Sequence, residues 1–184
     1  MISNVTVRAA TEADLPDISL IQKAAFGDEE IEALVIALLE DPSARPTLSL
    51  IAVADGRPVG HILFSKLRLS GSGQDDAVSM AILAPLAVLP EAQNKGVGGR
   101  LIEAGLAQLR EAGVDLVLVL GHPDYYPSHG FEPAGVHGLE APYLIPDKNA
   151  DAWMVQALRP GVLGTVRGRV LCADALDKPE LWRE

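Results

Sequence analysis

Between Leu86 and Leu101 the chain reads Leu-Ala-Val-Leu-Pro-Glu-Ala-Gln-Asn-Lys-Gly-Val-Gly-Gly-Arg-Leu. Gly96, Gly98 and Gly99 fall between an apolar run that Pro90 stops and residues Leu101, Ile102, Leu106 and Leu109, spaced for one face of a helix. A strand, a glycine-rich turn and a helix N-terminus make an anion site. Glycine lets backbone N–H groups approach a ligand closely. The unpaired N–H groups of a first helical turn, together with the helix dipole, favour a phosphate. Two common phosphate patterns do not fit. The dinucleotide pattern needs glycine where Leu101 stands, and the P-loop needs Lys-Ser/Thr where Arg100 follows Gly98-Gly99. A second stretch, Gly121-His-Pro-Asp-Tyr-Tyr-Pro-Ser-His-Gly-Phe131, brings phenols and imidazoles together. A phenol, with a pKa near 10, stays protonated at neutral pH and can donate a proton to an anionic leaving group.

The elements that must position these residues follow from periodicity. Val5 to Arg8 reads as a first strand. Thr11 is an N-cap candidate, with Asp14 as a short stand-in for the capping-box glutamate. Leu15, Ile18, Ile21 and Ala25 mark a helix that Gly27 ends, and a second begins near Asp28 with Ile31, Leu34, Val35, Leu38 and Leu39 on one face. Leu48 to Ala54 and Val59 to Leu69 read as strands joined by the Asp55-Gly56 hairpin turn. Ser70 to Asp76 is a polar loop whose Asp75-Asp76 pair is solvated. Ala77 to Leu89 reads as a central strand buried on both faces. Pro85 within it cannot donate to a ladder, so a bulge or lost pairing is expected near Pro85 to Ala87. Further strands are expected at Val114 to Leu120, Ala152 to Leu158 and Val166 to Cys172, and the tail Asp177 to Glu184 is polar around Leu181 and Trp182.

Composition bounds the rest. The 184 residues suit one domain, 1–184, with a full core. With 48% apolar and 22% charged residues, the chain is globular. A net charge of −10 argues against a nucleic-acid partner and requires the glycine loop with nearby Lys95 and Arg100 to supply a local positive field for an anionic ligand. The single Cys172 suits a reducing, cytoplasmic setting and reads as a small core residue. No signal peptide is visible at Met1 to Arg8, and no apolar run reaches the roughly 20 residues that span a bilayer.

Gln93-x-x-Gly96-x-Gly98, preceded by Val88-Leu89-Pro90, resembles the pyrophosphate loop of the Gcn5-related N-acetyltransferases, the GNAT family. Tyr126-x-x-x-Gly130-Phe131 resembles the segment after that family's fifth strand. The Tyr125-Tyr126 pair, Gly60 to Ser65 and Trp153 to Gly168 are similar to the YhbS-like branch, and the likeness runs from about Val5 to Ala175. The resemblance implies an α/β (α+β) fold: a mixed, mostly antiparallel sheet flanked by helices, with a splayed central strand pair. It implies acetyl-CoA or another acyl-CoA as co-substrate and direct acyl transfer to a primary amine, on a small molecule or a protein. Leu86, Ala87 and Val88 would pair with the pantetheine arm, the Val88 N–H would polarise the thioester carbonyl, and Gln93, Asn94, Lys95, Gly96, Val97, Gly98, Gly99 and Arg100 would hold the pyrophosphate. Tyr126 would protonate the departing thiolate, while Tyr125 packs or shapes the acceptor site. A homodimer is plausible only as a family habit.

One departure matters. Many relatives carry a glutamate on the central strand, whereas Ser79 to Ala84 has no carboxylate. The base is therefore open among a water chain, His61, Asp124 and His122, or unnecessary if the amine arrives deprotonated. His61, His122, His129 and His137 otherwise read as structural or solvent-facing, and His122 with His129 makes no metal spacing, so no metal is expected. The missing carboxylate keeps a second reading open, an acyl-CoA-binding module that acts as a sensor or partner. A hydrolase is disfavoured because no Gly-x-Ser-x-Gly elbow is present. The acceptor is expected to be selected by the two N-terminal helices, the Ser70 to Asp76 loop and the Pro142 to Asn149 segment.

Overall fold

A computed structural model of the chain describes residues 4–27, 29–71 and 78–183. Asp28 and the Asp75-Asp76 pair therefore lie outside the described residues. The apolar segments form strands β1 (Val5–Ala9), β2 (Leu48–Ala54), β3 (Arg57–Leu69), β4 (Met80–Val88), β5 (Leu116–Leu120), β6 (Glu132–Pro133), β7 (Leu139–Glu140), β8 (Trp153–Ala157) and β9 (Gly168–Leu171). They run in the order β1-β2-β3-β4-β5-β8-β6, with β7 and β9 joined through β3. The pairings along that order are antiparallel except β4 with β5. The helices are α1 (Leu15–Phe26), α2 (Glu29–Glu40) and α3 (Val97–Glu111).

Each helix buries the stripe its spacing marks: Ile18 and Ile21 on α1, Val35 and Leu38 on α2, and Leu101, Ile102, Leu106 and Leu109 on α3. The start of α1 is held by the predicted Asp14, whose carboxylate accepts the Thr11 N–H at 2.8 Å and both terminal nitrogens of Arg8 at 2.8 and 2.9 Å. The C-terminal tail is more than a polar end. Trp182 is buried edge-on against Trp153, with ring centroids 5.8 Å apart, and its Nε1 donates to the Leu176 carbonyl. Cys172 lies just past β9, buried, and burial pushes its thiol up to about 12. No helix among the described residues is long and apolar enough to cross a membrane.

The central strand departs from its expected form in a way that creates the cleft. β4 starts at Met80 and is buried on both faces only to Leu83; Ala84, Pro85 and Leu86 are half-buried. The register against β3 slips between Ile62↔Leu86 and Phe64↔Leu83, so Ala84 and Pro85 together face Leu63. This is the bulge that Pro85 demands, already closed by Leu86. β5 pairs with β8 along its whole length, Leu116 to Leu120, but with β4 only from Met80↔Leu116 to Ile82↔Leu118, leaving the second half of β4 open on that side.

His61 on β3 is fully buried, with Nδ1 2.9 Å from Gln22 Nε2 of α1 and Nε2 2.8 Å from Ser49 Oγ of β2. Burial pushes its pKa down to about 4, against a smaller upward pull from the Asp14 charge. The unfolded imidazole titrates near 6.5. As pH falls the unfolded chain takes up this proton first, so stability is lost between those two values, about 2 kcal/mol of it by about pH 5. Urea unfolding at neutral pH and at about pH 5 should show this loss in the wild type. His61→Gln cannot titrate and should lose that part of the slope; equal slopes would show that His61 does not carry it.

Candidate active site

The hydrogen-bond alternation of an antiparallel pair decides which β4 groups face the opening. The Leu89 N–H donates to the Val59 carbonyl at 2.9 Å, so Val59 and Leu89 form a hydrogen-bonded pair. In this register Gly60↔Val88 is then a non-hydrogen-bonded pair, His61↔Ala87 a bonded one and Ile62↔Leu86 again a non-bonded one. The N–H and C=O groups of Leu86 and Val88 therefore point away from β3, toward the side that β5 has left. Those of Ala87 are taken by His61. Ala87 lines the cleft while its backbone groups pair with β3. The Val88 carbonyl is claimed by Gln93, whose Nε2 donates to it at 3.0 Å, so the Gln93 side chain braces the loop against the strand. The Val88 N–H remains aimed into the gap.

Beyond Gln93 the chain turns into α3 through Gly96 at φ +82°, a left-handed conformation that glycine adopts without strain. The Arg100 N–H closes the first helical bond to the Gly96 carbonyl, while the N–H groups of Val97, Gly98 and Gly99 make no backbone hydrogen bond among the described residues. Three unpaired donors at the positive end of a 15-residue helix suit an anion. The cradle above them is narrow: a Cβ on Gly98 would lie 2.6 Å from the Tyr125 hydroxyl, and one on Gly99 would lie 3.0 Å from His129 Cε1.

These groups line one cleft of about 410 Å³. Of the expected ligand-binding residues, Leu86, Ala87, Val88, Gln93, Asn94, Gly96, Val97, Gly98 and Gly99 line it, and Lys95 and Arg100 do not. Arg100 is turned to β1, where its Nη2 donates to the Val5 carbonyl at 2.9 Å. Its N–H is used within α3 and its Nη2 faces β1, so direct hydrogen bonds to an anion come from the helix end, while its charge, which a neutral carbonyl does not cancel, still adds to the local field. A linear ligand with amide groups at one end and a diphosphate at the other matches the open strand edge and the helix terminus together.

Tyr125 and Tyr126 follow β5 on a 3-10 turn over Tyr126–His129. Tyr126 is 8% exposed and packs edge-on against Phe131 and Tyr125, with centroids 5.6 and 5.0 Å away. Gly121 makes room for it, since a Cβ there would lie 3.0 Å from Cδ2 and closer to Cε2. The Tyr126 hydroxyl makes no hydrogen bond among the described residues, yet it is not a sealed, unsatisfied atom. Burial, and then the neighbouring Tyr125, push its pKa well above the ordinary phenol value. Tyr125 packs against Tyr126 and His129 and lines the cleft on the helix side.

A second cavity of about 310 Å³ shares Phe26, Leu86, His122 and Tyr126 with the first. Its further walls are α2, the bulged part of β4, the end of β5 and the C-terminal tail. Tyr126 thus stands between the two. Phe26, His129 and the tail residues Leu176, Leu181 and Trp182 are lining residues that sequence spacing does not mark. Pro142 to Asn149 lines neither cavity. Among the open base candidates, His61 is sealed away with both nitrogens engaged, Asp124 lies outside both linings, and His122 lines both.

Comparison with known proteins agrees with this architecture. Residues 6–134 match the acetyltransferase (GNAT) domain family. The uncharacterised N-acetyltransferase YjhQ of Escherichia coli K12 is 48% identical over 174 residues, 94% of each chain. The GNAT family N-acetyltransferase YhbS of Escherichia coli, solved in complex with CoA, superposes with a TM-score of 0.84 at 29% identity, over 95% of this chain and 92% of that one. A GNAT family acetyltransferase of Brucella melitensis in complex with acetyl-CoA matches with a TM-score of 0.73 at 30% identity, over 95% and 99% of the two chains. A matched domain that spans most of the chain, a relative at nearly half identity and a solved CoA complex that superposes over nearly the whole chain leave one assignment: this chain belongs to the GNAT acetyltransferase family.

Proposed function

We propose that this protein transfers an acetyl group from acetyl-CoA to a primary amine by direct attack of the amine on the thioester. The observation that carries the reading is the shared cleft of the open β4 edge and the α3 N-terminus. CoA in the YhbS complex and acetyl-CoA in the Brucella relative support the same ligand class here. Leu86 offers its backbone groups to the amides of the pantetheine arm, and Val88 keeps its N–H for the thioester end. Val97, Gly98 and Gly99 offer N–H groups to the pyrophosphate. With the arm lying along β4, the thioester reaches the wall that Tyr126 shares between the two cavities.

In the reaction the amine nitrogen forms a bond to the acyl carbon, the carbon–sulfur bond breaks, and sulfur leaves with the electron pair. The Val88 N–H stabilises the charge that gathers on the carbonyl oxygen. Holding both partners in line supplies much of the rate. Tyr126 stays protonated, so it offers the thiolate a hydrogen bond, and transfer completes as nitrogen releases a proton of its own.

Thermal melting with acetyl-CoA tests this reading. At about 100-fold excess over Kd, binding adds about 2.7 kcal/mol. That raises Tm by about 5–10 °C for a chain of this length. CoA should shift the melt and ATP should not, and an amine should then release free thiol from acetyl-CoA. No shift with any acyl-CoA would overturn the assignment of the cleft.

A further inference from the structure

The cavity beyond Tyr126 carries information about the acceptor. Phe26, Ile31 and Leu34 from α1 and α2 face Leu176, Leu181 and Trp182 from the tail across it. The β4 and β5 residues in its wall, Ile82 to Leu86 and Val119 to Gly121, add apolar side chains or none. Its lining contains no carboxylate, ammonium or guanidinium group among the described residues. The polar side chains are three. Trp182 spends its Nε1–H on the Leu176 carbonyl, and His122 and Tyr126 stand at the boundary with the cofactor cleft. The surface outside is strongly acidic, with a net charge of −10, so this neutral lining differs from the molecule as a whole. Phe26 is 45% exposed although it closes the last turn of α1 over both cavities. An apolar ligand body would cover that ring.

Resting on the acetyltransferase reading above, we infer that the acceptor is a primary amine with an apolar, ring-sized body that enters this cavity in its neutral form. An ammonium ion would have to be desolvated against walls that hold no counter-charge, at large cost. A neutral amine meets no such penalty, and its proton balance is complete. Of its two hydrogens on nitrogen, one remains in the amide and the other ends on the CoA sulfur. No net proton acceptor is required, in keeping with a lining that contains no carboxylate. The titratable groups that face the amine are His122 and Tyr126 from the segment after β5; α1, α2, β4 and the tail contribute none to the lining. A cavity of about 310 Å³ lies at the small end of ligand pockets, large enough for one aromatic ring and a short chain.

The test is thiol release from saturating acetyl-CoA with 2-phenylethylamine, spermidine and glucosamine as acceptors. The value of kcat/KM for 2-phenylethylamine should exceed both others by about 10-fold or more. Equal or better use of spermidine or glucosamine overturns the proposal. So does failure to acetylate 2-phenylethylamine, or its displacement by octanoyl-CoA, which would assign the cavity to a long acyl chain. 2,2-Difluoro-2-phenylethylamine has the same body and a less basic nitrogen. Its pH profile should lie at lower pH by the difference in the two amine pKa values, whereas a shared midpoint would assign the titration to the enzyme and overturn the neutral-form claim. Leu181→Asp places a carboxylate in the wall and should move preference toward spermidine, with its melting temperature as a folding check. If acetyl-CoA itself fails to shift the melt, the acetyltransferase reading falls and takes this one with it. If it shifts the melt and polar amines win, the inference about the acceptor falls alone.

Discussion

Replacing Tyr126 with phenylalanine is expected to lower kcat by about 100-fold while leaving acetyl-CoA binding in place. The structure makes this substitution clean. The ring packs against Phe131, Tyr125 and Gly121, and phenylalanine keeps all of that packing. The hydroxyl has no hydrogen-bond partner among the described residues, so its removal strands no buried group. Stability should therefore change by no more than about 0.5 kcal/mol. The full ligand-induced rise in Tm should also survive, because the backbone groups of β4 and α3 proposed to receive CoA are untouched. A loss of turnover with binding intact isolates the hydroxyl as the group that assists the leaving sulfur. Tyr125→Phe is the control. Its hydroxyl sits over Gly98 on the helix side of the cleft, so this change should act on acetyl-CoA affinity more than on kcat. Full activity in Tyr126→Phe would remove the tyrosine from the chemistry and return it to the core.

How far the sequence carried this reading depends on the kind of residue. Gly96 and Gly98 were legible because backbone geometry restricts what can stand at a strand–turn–helix junction, whereas Gln93 was marked only by the resemblance to the GNAT loop. Pro85 was legible because a residue without an N–H breaks a ladder wherever it falls, and Ala84 with Pro85 does form the bulge. Which backbone groups face the gap was not legible. That depends on pairing parity, and the Leu89–Val59 hydrogen bond gives Leu86 and Val88 to the cleft while keeping Ala87 on the β3 side. Arg100 shows the limit of composition: a cation beside the glycine turn in sequence lies outside the cleft lining and donates from Nη2 to the Val5 carbonyl. The acceptor side was harder still. Trp182 and Leu181 come from the last turn of the chain and meet α1 and α2 only through tertiary packing, with no local pattern to mark them. His61 looked like a base candidate and is instead a buried tie between α1, β3 and β2.

Gly105→Ala is expected to destabilise the fold, against the usual effect of such a change in a helix. Helix propensity alone favours alanine by about 1 kcal/mol. Packing decides the other way. Gly105 lies on the buried stripe of α3 directly over Phe64 of β3, and a Cβ there would stand 2.6 Å from the ring Cζ and closer still to Cε1. Phe64 is 1% exposed and borders a cavity of about 350 Å³ with Leu48, Met80 and Leu109, so relief of the overlap requires its ring to leave its packed rotamer. Forcing a methyl group into such a contact costs about 1–3 kcal/mol or more. The net result should be a loss of about 1–2 kcal/mol, seen as a fall in Tm of about 2–8 °C. Phe64→Leu should relieve the overlap, and in that background Gly105→Ala should become neutral or stabilising. The double-mutant cycle should then return a coupling of about 2 kcal/mol. A rise in Tm for Gly105→Ala alone would show that α3 moves freely over the sheet. The same experiment bears on function, because α3 carries the N–H groups of Val97, Gly98 and Gly99 at its first turn. If the methyl group lifts the helix from β3, those donors move away from the β4 edge, and acetyl-CoA affinity should fall in Gly105→Ala and recover with Phe64→Leu. Recovery of both properties together would tie the depth of one glycine in the core to the geometry of the cleft.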